Sequence, residues 1–460
     1  KYVCLERFLL TQGSFKLMSS TVPSSPDVAV NNIKIDLEKI HFDKSTNDIR
    51  ELLQGSQLEL STGHVSLSTS NVDLKVKNTS FSGASERLVI DSVLMKKAGG
   101  QPGLALDIDI PMMTASGLDP NQIMAWSDIQ LDTLQLNHST ISLEEPATAK
   151  NLKPPTASSA APFPKVSIKH LLGKGNFLEF KNPTIPLFRA KDIEFNIAGL
   201  TLDQALSDNV RNQFDYDGIH NITVKGYNLI LDEQQHLISA DQIQWSNDSS
   251  FSIKNIILAP FGKPSNQYRI AVPGIQINKV DLKRILKDSY YHGKELIIDR
   301  PLIDLRLAEG EQTKLTSLDL GFIPLLLRNK FLGAESKLFK LREGVLNFRQ
   351  KTDGDSLIFQ CDDLNIEIDH FAVDSTTEMR PERFLFANDV LLYGDYITAY
   401  NQNNDHFFNI NHFYVSTKEQ DLKFDGLYYS AKPNGKTSAA STKLTIDFLY
   451  VIDLDFYKLT

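Results

Sequence analysis

Residues of this chain that could do chemistry are few and scattered. Asp215, Asp217 and Gly218 reproduce a fragment of a calcium loop, in which oxygen ligands alternate around a glycine. The rest of the ligand ladder is missing, so a turn is the better reading. His406 and His412 can share a strand face, but six residues of strand span about 20 Å, too far for one metal ion. Asp362, Asp363 and Glu367 form an acidic patch. General acid/base work needs two carboxyls converging on one bond, and a patch in a strand reads as a solvated face. Gly173-Lys174-Gly175 and Gly262-Lys263-Pro264 lack the Lys-Ser/Thr ending with which a glycine-rich loop cradles phosphate. No strained-serine elbow and no His-Glu-x-x-His zinc helix occurs. Four Asn-x-Ser/Thr tripeptides, at Asn78, Asn137, Asn221 and Asn247, read as turn residues. The sequence therefore names no catalytic residue, no metal ligand and no cofactor, and predicts no enzyme.

The elements that carry these residues must be read from the apolar pattern. With 460 residues the chain exceeds the roughly 250–300 at which single cores stop growing. Apolar residues make up 41% and charged residues 23%, which excludes disorder of the whole chain. Phe (26) far outnumbers Trp (2), as suits half-buried strands. The formal charge is −9 with both signs interleaved, so no basic stripe exists for nucleic acid. Cys4 and Cys361 define neither a metal spacing nor a disulfide framework and read as two buried free thiols. No run reaches the ~18–20 apolar residues of a membrane span, and no signal peptide opens the chain. A start at Lys1 and an end within the strand-like run Leu444 to Leu459 suggest a segment of a longer protein.

A loose repeat organises the sequence. Two apolar residues alternate, a short polar break follows, and two more alternate. Copies are Leu178, Phe180 and Ile185, Leu187 around Asn182-Pro183; and Leu296, Ile298 and Ile303, Leu305 around Arg300-Pro301. Others are Leu134, Leu136 and Ile141, Leu143 around His138-Ser139; and Phe339, Leu341 and Leu346, Phe348 around Glu343-Gly344. Looser copies surround Thr62-Gly63, Asn78-Thr79 and Asn388-Asp389. An odd shift along a strand moves side chains to the opposite face. A two-residue hairpin or a bulge keeps both halves on one face. Pro183 and Pro301 cannot adopt the positive φ of a tight hairpin, which favours a bulge or kinked corner there. Glu343-Gly344 and Asn388-Asp389 suit hairpins. Polar residues such as Lys34, Asp36, Asn365 and Glu367 lie between the apolar ones and define a second face.

Helical patterns are expected at Thr46–Leu53, Asp119–Trp126, Leu202–Phe214, Val280–Tyr290 and Phe322–Leu332, the last an apolar plug or cap. Residues 144–164, rich in Pro, Ala and Ser, read as a mobile linker. It separates an N-terminal part, 1–143, from a continued sheet, 165–460. Ala431 to Thr442 reads as a long hairpin loop.

An apolar face must be covered. A second sheet, helices, or lipid in a curled sheet would each serve, and composition by itself favours the sandwich. The modules around Leu178–Leu187 and Leu296–Leu305 resemble those of the AsmA-like family: apolar-x-apolar-x-x-Pro-x-apolar-x-apolar, preceded by a glycine turn at Gly175 or Gly293. The stretch Leu318 to Phe348 is similar to the family as well. The family's N-terminal membrane anchor is not in this sequence. The resemblance implies a mostly β fold: a long, twisted, mainly antiparallel repeat sheet curled into a groove or half-pipe, with a few short helices. It also implies a non-enzymatic protein of the Gram-negative periplasm, anchored in the inner membrane through sequence outside this chain. Its groove would bind or conduct phospholipid acyl chains between membranes, with other envelope proteins as further partners. The candidate groove residues are Leu178, Phe180, Ile185, Leu187, Leu296, Ile298, Ile303, Leu305, Leu341, Leu346 and Phe348. The alternative is a scaffold subunit of an envelope complex with a protein-packed interior.

Overall fold

A computed structural model describes residues 3–17, 27–42, 57–69, 72–97, 105–119, 122, 128–144, 165–181, 186–203, 214–231, 236–247, 249–260, 267–281, 284–285, 290–307, 333–352, 355–374, 387–401, 406–431 and 442–454. Alternating apolar and polar residues, rich in Ile, Val and Phe, form 24 strands of a mixed sheet. The strands divide between two compact units, 1–227 and 228–460.

In the first unit the strands are β1 (Val3–Leu17), β2 (Asp27–Phe42), β3 (Gln57–Ser68), β4 (Val72–Ser82), β5 (Arg87–Lys97), β6 (Ala105–Ile110), β7 (Met112–Ser116), β8 (Ile129–Asn137), β9 (Thr140–Glu144), β10 (Val166–Lys181), β11 (Pro186–Leu202), β12 (Phe214–Asp215) and most of β13 (Gly218–Leu231). The second holds β14 (His236–Ser246), β15 (Ser250–Pro260), β16 (Gln267–Asn278), β17 (Tyr290–Asp299), β18 (Leu302–Leu307), β19 (Gly333–Thr352), β20 (Asp355–Asp374), β21 (Asp389–Asn401), β22 (His406–Ser416), β23 (Asp421–Ala431) and β24 (Thr442–Val451). Antiparallel meanders dominate both units.

One topological device occurs in each unit. β8 and β9 run parallel to β10, and β17 and β18 run parallel to β19. At the break between β8 and β9, His138 N–H donates to Lys174 O (2.8 Å) and Phe177 N–H to Ser139 O (2.7 Å). Between β17 and β18, Arg300 N–H donates to Arg342 O and Val345 N–H to Pro301 O, both at 2.8 Å. The two sites share one hydrogen-bond pattern, with His138-Ser139 matching Arg300-Pro301. Parallel neighbours require a crossover rather than a tight turn. The expected linker, 144–164, and the expected plug, Phe322–Leu332, fall in these two crossovers. Except for Glu144, which ends β9, both lie outside the described residues.

The breaks are mostly kinks in continuing strands. Asn78 (φ 45°), His138 (54°), Arg300 (49°), Glu343 (50°) and Asp363 (51°) adopt left-handed backbone. Asn, Asp and His tolerate this region better than bulky residues do. A left-handed residue in an extended strand turns the pleat over, so residues three or five apart share a face. Cys361 and Leu364 flank Asp363, Phe424 and Leu427 flank Gly426 (φ 64°), and all four lie in one apolar cluster. Arg300-Pro301 is thus the expected kinked corner. One expectation is corrected. Glu343-Gly344 is no hairpin, because β19 continues through it with a register shift, long-range pairing overriding the local turn preference. Asn182-Pro183 lies outside the described residues; the strands on either side of it, β10 and β11, pair antiparallel up to Lys181↔Pro186. Residues 387–388 precede β21, and Phe384 and Phe386 lie outside the described residues.

Among the described residues Gln122, Arg284 and Ile285 are helical, within the expected Asp119–Trp126 and Val280–Tyr290 helices, most of whose other positions lie outside the described residues. Gln122 N–H donates to Asp119 O (3.2 Å) and Ile285 N–H to Asp281 O (3.1 Å). The ends of the second expected helix are strand-bound: Tyr290 begins β17, and Val280 seals the end of β16, 3% exposed, with its N–H on Ser249 O (3.2 Å). Leu202 ends β11 and Phe214 starts β12, so the expected helix there has both its ends in strands. Segment 46–53 lies outside the described residues, as does 432–441 with its expected hairpin loop between β23 and β24.

Candidate functional site: the apolar face

Cross-strand register collects the apolar residues into transverse rows. One row in the first unit runs Leu17, Val28, Leu67, Leu74, Met95, Ile108, Ile141, Leu178, Ala190 across β1, β2, β3, β4, β5, β6, β9, β10 and β11. Across the line of kinks a second row runs Leu10, Ile35, Leu60, Phe81, Leu88, Ala115, Leu134, Leu171, Ile197. The second unit repeats the arrangement. There one row runs Ile243, Ile253, Ile275, Ile298, Leu341, Ile366, Leu392, Val415, Leu422, Val451. Its counterpart beyond the kinks is Ile238, Leu258, Ile270, Ile303, Leu346, Cys361, Ile397, Ile410. Neighbours in such rows stand about 4.5–5.5 Å apart and exclude water from each other's flanks.

Leu178, Phe180, Leu296, Ile298, Ile303, Leu305, Leu341, Leu346 and Phe348 all stand on this face. Leu341 is buried and the other eight are only half-buried. Ile185 lies outside the described residues. Leu187 leaves the row: Phe188 stands opposite Phe180, its ring edge-on to Tyr227 at 5.5 Å. The kink parity fails there because the chain reverses between Phe180 and Phe188. Full burial is reached at points along the rows, at Phe81, Ala115, Ala190, Leu341, Cys361 and Ile410, and in clusters such as Ile368, Ala387 and Val390.

The opposite face is charged. Arg7 grips Asp36 through two hydrogen bonds (2.9 and 2.7 Å), and this contact holds the Asp36 carboxyl below the ordinary range. Lys96 pairs with Asp107 (3.4 Å) and Lys340 with Glu367 (3.5 Å). The Lys96–Asp107 pair is exposed and contributes little stability.

Two buried asparagines were not foreseen from sequence. Asn176, 6% exposed, accepts from Ser139 N–H (2.9 Å) and donates to Leu136 O (3.3 Å) and Ile193 O (3.2 Å). It ties the β8/β9 kink to β10 and β11. Gly175 beside it has φ 66°, and a Cβ there would lie 2.6 Å from His138 Nδ1. Asn365, 9% exposed, accepts from Glu343 N–H (3.0 Å) and donates to Asp363 O (2.7 Å), tying the kinks of β19 and β20. Asn365 was expected on a polar face and is instead a buried staple. The faint signal for both was an Asn one or two residues after a kink.

The scattered chemical residues find separate places. His406 meets Tyr429 (3.0 Å) and His412 meets Asp395 (2.5 Å). Asp215 accepts from Tyr216 N–H (3.0 Å), a local turn bond, and Asp217 is exposed. No group of three potential metal ligands converges among the described residues. The hydrogen bond that His412 Nδ1–H donates to Asp395 raises the His412 pKa above 6.5. The attraction is full below the unfolded value and fades as pH rises through the folded one. An NMR titration of His412 should give a pKa above 6.5 that returns towards it in Asp395→Asn; an unchanged value would refute the pairing. Cys361, 2% exposed, carries a free thiol whose pKa burial pushes up to about 11. It should resist alkylation in the native state and react at once in denaturant, as mass spectrometry of Cys361 peptides would record.

The arrangement is a mostly β, repeat-built protein with one apolar and one charged face. No protein-family model, curated protein or solved structure matches the chain.

Proposed function

We propose that the apolar face binds phospholipid acyl chains and lets them pass along the sheet between membranes, without catalysis. The carrying observation is that the rows continue unbroken over eight to ten strands while most candidate residues stay half-buried. Side chains packed under a second protein layer would be sealed from water more completely. Acyl chains laid on the rows would gain about 0.8 kcal/mol per buried CH₂. The resemblance to the AsmA-like family supports the same reading and suggests the periplasm, with an inner-membrane anchor outside this chain.

Native mass spectrometry of the purified chain tests this directly. Co-purifying phospholipid is expected, displaced by competing detergent. A lipid-free chain that also takes up none from labelled vesicles would overturn the reading.

A further inference from the structure

At the margin of the first unit's sheet, the ends of β4, β5, β6, β9 and β10 surround a cavity of about 500 Å³. Its walls come from both faces. Asp107 and Ser142 line it from the charged face, and Val72, Lys97 and Leu106 from the apolar one. The register makes the second assignment. Lys97 stands opposite Val72 and Leu106, in a row that continues through Leu143 to Phe180. That row lies two residues beyond the one that holds Leu74, Met95, Ile108, Ile141 and Leu178. Two residues along a strand return to the same face, so Lys97 is an exposed cation set in the apolar face.

The charges around the cavity do not cancel. Lys75 pairs with Asp73 (2.8 Å), Lys96 with Asp107 (3.4 Å) and Lys181 with Glu144 (3.4 Å). Each carboxylate that lines the cavity therefore has its own lysine. Lys97 has no ion-pair partner among the described residues, and the adjoining connections 70–71 and 98–104 contain no acidic residue. One positive charge is left over, next to aliphatic side chains. Its complement is a singly charged anion that carries an apolar chain. We propose that Lys97 binds the phosphodiester of a phospholipid at this margin, with the acyl chains running past Val72 and Leu106 onto the apolar rows. The site rests on the reading of the apolar face as a lipid surface and gives the headgroup a place. Lysine suits the position, because its methylenes can lie along apolar neighbours while the ammonium stays in water. A free phosphate would meet the same ammonium but gain nothing from the aliphatic row.

Calorimetric titration of the full chain with dihexanoylphosphatidylglycerol, dihexanoylglycerol and inorganic phosphate separates these sources. The phosphodiester lipid should bind most tightly. Lys97→Gln should weaken it about tenfold, as loss of a charge-assisted contact does, and leave dihexanoylglycerol unchanged. Lys97→Arg should keep the affinity. So should Lys77→Gln, the same change of charge at an exposed position outside the cavity. Circular dichroism should be the same for all of these chains. Inorganic phosphate bound as tightly as the lipid would overturn recognition of an amphiphile. Equal affinity of Lys97→Gln and the parent chain for the phosphodiester lipid would overturn the site and leave the apolar face as a lipid surface. Binding of neither lipid would remove the apolar-face reading itself, and this site with it.

Discussion

Replacing Ile303 and Leu305 together by Asp should strip bound phospholipid from the chain while leaving it folded. Both side chains sit on β18, in the middle of the second unit's rows, opposite Leu346 and Phe348 of β19. Both are half-buried, so the new carboxylates keep access to water. If each lost side chain had covered one methylene of an acyl chain, about 1.6 kcal/mol of binding disappears, roughly a tenfold loss of affinity. Asp304→Asn, between them on the charged face, should change lipid content little. Quantified lipid per chain and urea unfolding of the three proteins separate the outcomes. Unchanged lipid would remove the face from the binding site. A loss of several kcal/mol in stability would mean that protein, not lipid, covers it, because burying an unpaired carboxylate carries that cost.

Asn176→Leu should destabilise the first unit by about 3 kcal/mol. The substitution fits the volume but leaves Ser139 N–H, Leu136 O and Ile193 O without their partner in a buried setting. An unsatisfied buried donor or acceptor costs about 1–3 kcal/mol. Asn365→Leu should act similarly in the second unit, through the lost contacts to Glu343 N–H and Asp363 O. Denaturant midpoints would measure both, and hydrogen exchange at Ser139 and Glu343 would localise the effect to the kinks. A change under about 0.5 kcal/mol, the level of ordinary surface substitutions, would show that the kinks hold without their staples.

The amino-acid sequence by itself determined the β architecture and the shared apolar face. Alternation is a local property: Leu296, Ile298 and Ile303, Leu305 could be assigned to one side from spacing alone, because the pleat has a period of two. It also favoured a bulge or kinked corner over a tight hairpin at Arg300-Pro301, since proline restricts the turn geometries open to it. Only the tertiary structure decided what long-range pairing decides. Glu343-Gly344 has the composition of a tight turn, yet β17, β18 and β20 pair along both halves of β19 and hold it as one continuing, kinked strand through the break. Around Asn182-Pro183, β10 and β11 pair antiparallel, which places Phe188 rather than Leu187 opposite Phe180. The staples Asn176 and Asn365 were invisible for the same reason, since their partners lie up to 40 residues away. Nor could the parallel crossovers be read locally, because a strand's own residues do not encode which distant strand lies beside it.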